Sequence, residues 1–288
     1  MRYKISHELI YKYSKPVFFE PHTFFIRPRE DAHQRLLDFR LSLSPEPELC
    51  APAQDAFGNN MFRAWFHGNS DSLEIRAESE VEVLRENPFD YFLEDNFMIL
   101  PANYLRETFA GLKSYRTNKE RVTESVTDFA ARIALRMKGS VEYFLSELCR
   151  EISVSFHKIE RAEGAPWAAD VTLEKKEGAC RDLAAFFMEC CRSQGLISRF
   201  VSGYYGKPDG SGKYELHAWA EVYLEGAGWR GYDPSTGLAC MQSHVVLASA
   251  PDPLWVSPVI GTFRGNKISS SLEAKVEIKI LDGEKVFG

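Results

Sequence analysis

The chain has no C-x-x-C spacing, no H-E-x-x-H pair and no glycine-rich phosphate loop after a strand, so neither a metal centre nor a nucleotide cofactor is implied. Six cysteines in 288 residues are too few for a disulfide framework, and Cys190 and Cys191 are adjacent within a helical pattern. All six are expected to be reduced thiols in the cytoplasm. Long apolar runs are missing as well: no membrane span is expected, and Met1 to His7 alternates like a strand instead of forming the apolar core of a signal peptide. With 35 basic and 41 acidic residues and no block of one sign, a nucleic-acid or anionic-membrane surface is disfavoured. There is no internal repeat. What is present is 44% hydrophobic and 13% aromatic content, enough to fill the cores of two domains.

Patterning divides the chain in two. Apolar residues alternate at Tyr3, Ile5, His7, Leu9 and Tyr11, at Leu37 to Leu43, at Phe62 to Phe66 and at Leu73 to Val83, which predicts half-buried antiparallel strands. Gly58-Asn59-Asn60 reads as a tight turn between two of them. From Thr123 the period becomes helical, with Val126, Phe129, Ala130, Ile133, Ala134 and Met137 on one face and a second helix carried by Tyr143, Phe144, Leu148 and Ile152. We therefore expect an α+β protein: an all-β sandwich or barrel over 1–112 and a mixed domain over 113–288. Alternation returns from Leu272 to Ile280.

Three segments carry chemistry. In Glu177-Gly178-Ala179-Cys180, the glycine breaks what precedes it, and Leu183, Ala184, Phe187, Met188 and Cys191 follow as one helix face, so Cys180 starts a buried helix. The unpaired amides at such an end favour a thiolate and offer donors to a developing oxyanion. Alone, a cysteine there is more often a small core residue. His217 begins a strand on which Trp219, Glu221 and Tyr223 share its face, while Val222 and Leu224 face the core. A glycine-containing turn leads to Trp229–Asp233, which ends at Pro234. Pairing Tyr223 with Trp229 sets Trp219 opposite Asp233 and leaves His217 its diagonal neighbour, roughly 7–8 Å away by backbone, a gap side chains can close. A lone strand histidine beside tryptophan is ordinarily structural, and the same reading is favoured for His157 and His244. Asp182 reads as a complement to the helix dipole. The conjunction of Cys180, His217 and Asp233, each at a helix start or on a strand of one hairpin, is what favours a site: a thiol, its base and an orienting acceptor.

These segments, together with Arg199-Phe200-Val201-Ser202-Gly203-Tyr204, resemble the bacterial transglutaminase-like family. Tyr11-Lys12-Tyr13, Pro16-Val17, Arg27-Pro28-Arg29 and Asp55-Ala56-Phe57-Gly58-Asn59 resemble the β-rich region attached before its core. The resemblance implies an antiparallel β-sandwich or barrel followed by a papain-like transglutaminase core of helices on an antiparallel sheet, with Cys180 as nucleophile, His217 as base then acid, and Asp233 as orienter. Trp167 is a candidate oxyanion-hole residue by position. Arg181 stands where relatives often carry an amide, and Ala248–Pro253 replaces their charged stretch, which alters the cleft and not the triad.

Chemistry to a thioester is shared by hydrolases and amine transferases, and no motif reports the acceptor. Water is the default, so hydrolysis of a peptide or peptide-like amide, as in a cysteine protease or amidase, is expected. The alternatives are a transglutaminase that forms isopeptide bonds, an arylamine acetyltransferase, or a non-catalytic peptide-binding module. The expected partner is a peptide or protein amide substrate, with no cofactor, and the polar segment from His157 to Lys176 is expected to rim the cleft. A protein partner on the amino-terminal β domain is a further expectation.

Overall fold

Alternation in the first part of the chain becomes two antiparallel sheets packed face to face. The structure, a computed structural model, describes residues 1–116, 122–161, 164–206 and 215–281. Its opening strands are β1 (Arg2–Phe19), β2 (His22–Phe24), β3 (Gln34–Ser44), β4 (Leu49–Gln54), β5 (Asn60–Trp65) and β6 (Asn69–Val83). A short helix α1 (Arg106–Gly111) leads to α2 (Glu124–Arg136) and α3 (Val141–Ser155), followed by β7 (His157–Lys158), α4 (Ala169–Lys175), β8 (Glu177–Gly178) and α5 (Cys180–Ser193). The core sheet comprises β9 (Ser198–Tyr205), β10 (Glu215–Leu224), β11 (Gly228–Asp233), β12 (Leu238–Ala239) and β13 (His244–Ala250), and the chain closes with β14 (Val259–Ile260), β15 (Phe263–Arg264) and β16 (Ser270–Ile280).

One sheet of the sandwich runs β15-β1-β6-β3, with β16 also on β1, and the other runs β14-β2-β5-β4. Leu9, Phe19, Phe24, Ala64, Leu73 and Ile75 fill the space between them. The alternation at Leu272–Ile280 is thus a strand, and its partner is the first strand of the chain: Ile5 pairs with Ile278 and Leu9 with Ala274. The sequence-delimited second unit, 113–288, therefore ends in strands that complete the sheets of the first.

The core sheet runs β12-β11-β10-β9-β13, entirely antiparallel. One face receives α5, where Ala218, Ala220, Val222 and Leu224 pack with Ala184, Phe187 and Met188. Sequence alternation left the opposite face of β10 outside the core. It is buried too, with Trp219 only 1% and Glu221 only 5% exposed, because the β-sandwich covers it. Tyr3, Ile5, Val81, Val83 and Ile278 from the sandwich share one apolar cluster with Tyr204, Val245 and Leu247 of the core sheet.

Polar contacts across this seam are equally specific. β13 is an edge strand, and an edge leaves backbone groups seeking partners. The Gln34 amide donates to the Val246 carbonyl (3.0 Å) and accepts from its N–H (2.7 Å), while Asn59 does the same at Ser249 (2.9 and 2.8 Å). Glu221 accepts from Arg199 within the sheet (2.7 Å) and from Arg29 of the sandwich (3.3 Å). Burial would raise the Glu221 pKa, but the two guanidinium groups outweigh it and hold the carboxyl at about 2. A depressed carboxyl contributes stability that is fully present above its ordinary pKa near 4.5 and is lost as pH falls towards 2. Glu221→Gln leaves the buried Arg199 without its carboxylate and Arg29 with Asp31 alone, and is expected to cost about 3–5 kcal/mol near neutrality. Urea unfolding should show the gap to wild type narrowing as pH falls from 5; a pH-independent gap would contradict this role.

Candidate active site

Cys180 is the first residue of α5, and the local sequence fixes how that helix begins. Asp182, three residues past the N-cap Ala179, turns its carboxylate back to accept from the Ala179 amide at 2.8 Å. The same fully buried carboxylate accepts from the Trp167 amide at 2.8 Å and from Arg161 Nη1, which lies 2.6 Å from both oxygens. Arg161 also lies 4.4 Å from the Trp167 ring centroid. Asp182 is thus more than a complement to the dipole: it ties the segment around Arg161 and Trp167 to the helix start. Gly178 is required beside it, since a Cβ there would meet the Asp182 Cβ at 2.8 Å. Cys180 opens α5, so its own amide lies at the helix start beside the thiol.

His217 lies on β10 and Asp233 at the end of β11. The hairpin has the parity read from sequence: Tyr223 pairs with Trp229 and Ala220 with Tyr232. Pairing extends to Leu224 and Gly228, so the connection is only Glu225-Gly226-Ala227. His217 and Asp233 fall on one side of the sheet, and His217 Nε2 meets Asp233 Oδ2 at 2.9 Å. A carboxylate only accepts, so Nε2 carries the proton. The other carboxylate oxygen, Oδ1, accepts from the Ser235 amide (3.0 Å) and hydroxyl (2.8 Å) in the turn made after Pro234.

His244 also reaches this carboxylate, with its Nε2 3.3 Å from Asp233 Oδ2, while the Ser243 hydroxyl lies 3.0 Å from its Nδ1. The two imidazoles differ in charge. Burial opposes protonation of His217, but Asp233, supported by Cys180 and Glu215, outweighs it and holds the pKa well above the ordinary value. For His244 burial wins, aided by the nearby His217 charge, and its pKa falls. Burial would raise the Asp233 pKa, yet His217 and His244 together keep it well below the usual carboxylate range. An imidazolium, a buried carboxylate and a neutral imidazole therefore form one chain of hydrogen bonds.

The remaining ring nitrogen, His217 Nδ1, is buried. Glu215 Oε1 lies 3.4 Å from it. Glu215 is held at about 2, first by His217 and, against its own burial, by Lys158 at 2.8 Å. Lys158 belongs to β7, which pairs with β8 immediately before Cys180. Tyr205 covers the pair of histidines, with ring centroids 5.2 Å from His217 and 4.9 Å from His244.

Cys180 and His217 line one cleft of about 510 Å³. Its walls come from both domains: Leu9, Tyr11, Leu272 and Ala274 from the sandwich, and Phe200, Leu216 and Leu254 from the core. Gly164, Ala165 and Pro166 border it, so part of the predicted polar rim does lie at the cleft. The structure thus brings Cys180, His217 and Asp233 to one place. Sequence reading passed over Glu215 and Lys158 and gave His244 a structural role only. Glu215 was within reach, being two residues before His217 on the same strand face; His244 and Lys158 arrive through β13 and β7, whose pairings have no local signature. His157 is exposed on the two-residue strand β7. Among the described residues, no group of three or more His, Cys, Asp or Glu is arranged to hold a metal.

Residues 3–82 match the bacterial transglutaminase-like N-terminal region, and residues 119–234 match the transglutaminase-like superfamily. The segment 119–234, which carries Cys180, His217 and Asp233, thus belongs to the transglutaminase-like superfamily. Uncharacterised proteins of Mycobacterium bovis and Mycobacterium tuberculosis are each 27% identical to it over 299 residues, covering 98% of this chain and 94% of theirs. A crystal structure of a proposed cysteine protease from Cytophaga hutchinsonii is similar in fold, with TM-score 0.74 at 20% identity, covering 99% of this chain and 92% of that one.

Proposed function

We propose that this chain is a thiol-dependent hydrolase of peptide or peptide-like amides, with Cys180 as nucleophile, His217 as acid and base, and Asp233 as the residue that positions the imidazole. The observation carrying this reading is that His217, anchored through Nε2 on Asp233, lines one cleft with Cys180, and Asp233 with Cys180 favours its charged form against burial. Attack requires the proton of the thiol to pass to His217. The thiolate forms a bond to the amide carbonyl carbon, and the Cys180 backbone amide donates to the oxyanion. As the C–N bond breaks, Nδ1–H passes its proton to the leaving amine. Water then adds to the thioester, giving a proton back to His217, and the acid leaves as the thiolate is restored.

The cleft walls suit an amide flanked by an apolar group, and two of the apolar walls belong to β1 and β16. In this reading the sandwich shapes the substrate site directly. Short peptide anilides with apolar and charged acyl residues, incubated with and without a primary amine such as cadaverine, test it. Free-acid release that requires Cys180 and favours the apolar acyl group is expected. Faster amine incorporation than acid release would overturn the hydrolytic assignment.

Glu215 gives this mechanism a pH signature. Its negative charge beside Nδ1 favours the imidazolium, so Glu215→Gln is expected to move the basic limb of kcat/KM to lower pH with the fold intact. An unchanged limb would remove Glu215 from the account.

A further inference from the structure

Away from the thiol cleft, a second cavity of about 370 Å³ lies in the seam between sandwich and core. Arg29, Arg85, Arg199, Trp229, Glu221 and His244 are among the residues that line it. Its charges do not balance locally. Arg29 is engaged by Asp31 (2.8 Å) and Glu221 (3.3 Å), and Arg199 by Glu221 (2.6 Å). Both lining carboxylates are thereby committed. Arg85 has no such partner: its Nε and Nη2 are buried and make no hydrogen bond among the described residues. The adjacent Arg230 adds positive potential, and its own counter-ion is Asp90, 3.1 Å away. Burial and that second guanidinium lower the Arg85 pKa, so its charge is held at a cost.

Among the described residues, Arg85 alone leaves two buried donors of one guanidinium edge without an acceptor, which points to a missing partner. The planar fork of arginine matches two oxygens of a carboxylate or phosphate. We propose that this cavity binds a small organic oxyanion, a carboxylate or a phosphate, on Arg85, with the Trp229 side of the cavity receiving its apolar body. The volume exceeds that of a bare ion and falls within the range of small-molecule sites. His244 connects the cavity to the catalytic group, since it lines the cavity and hydrogen-bonds Asp233. An occupant would thus lie one side chain away from the triad carboxylate.

Calorimetric titration of the full chain with inorganic phosphate and, separately, with benzoate tests this, at ionic strength held constant with sodium chloride. Saturable binding of at least one probe is expected, weakened at least ten-fold in Arg85→Ala and unchanged in Arg35→Ala, an exposed arginine outside the cavity. The two probes distinguish a phosphate from a carboxylate ligand. Thermal unfolding supplies the second readout: without anion, Arg85→Ala should be at least as stable as wild type, and the bound probe should raise the Tm of wild type alone. Arg85→Lys, which keeps the charge and loses the fork, should bind with intermediate affinity. No saturable binding of either probe, or equal affinity in wild type and Arg85→Ala, would overturn the proposal.

Discussion

Cys180→Ala should abolish turnover while leaving the fold in place. The expected loss in kcat/KM is about 10⁴-fold or more, since the remaining amides and cleft cannot replace a covalent nucleophile. The stability change should be within about 1 kcal/mol, because the thiol is half-buried at a helix end and its removal opens little space. Circular dichroism and a denaturation curve alongside the rate measurement separate the two effects. A folded variant with wild-type turnover would rule out Cys180 as nucleophile. An unfolded variant would assign the thiol to packing.

Asp233→Asn carries the second large effect, and its interest lies in the direction of the pH change. Size is preserved, but the carboxylate charge that overcomes burial at His217 is gone. The imidazole pKa should fall, and the amide must accommodate two imidazoles that formerly donated to one oxygen. Activity is expected to fall by about 10²–10⁴-fold, by analogy of role with other catalytic triads. The basic limb of the remaining activity should move to lower pH. A purely structural Asp233 would instead give a loss that follows the fraction folded and leaves the pH profile in place.

Much of this site is legible in the sequence because its key constraints are local. The apolar spacing from Leu183 to Cys191 defines the helix that begins at Cys180, and parity alone fixes which hairpin register puts His217 and Asp233 on one face. The sheet order is not local. Alternation at Leu272–Ile280 specifies a strand, yet nothing in it selects β1 as partner across more than two hundred residues. The burial of Trp219 and Glu221 was hidden for the same reason, since the covering layer comes from the other domain. Asp182 was underestimated because three of its four contacts reach Arg161 and Trp167, in a segment whose sequence has no periodicity. His244 was read only as structural because a buried neutral histidine differs from a surface one only through what it touches.

Thiol reactivity tests the central claim most directly. Burial pushes the thiols of Cys149, Cys190, Cys191 and Cys240 well above their ordinary range, and raises that of Cys50 as well. Iodoacetamide applied briefly from about pH 5 to 9, with the modified residue located by mass spectrometry, therefore has one expected target. The account predicts selective alkylation of Cys180 below neutral pH, with that selectivity lost in His217→Ala. Slow labelling of Cys180 that rises with pH like a free thiol near 8.5, unaffected by His217→Ala, would contradict it.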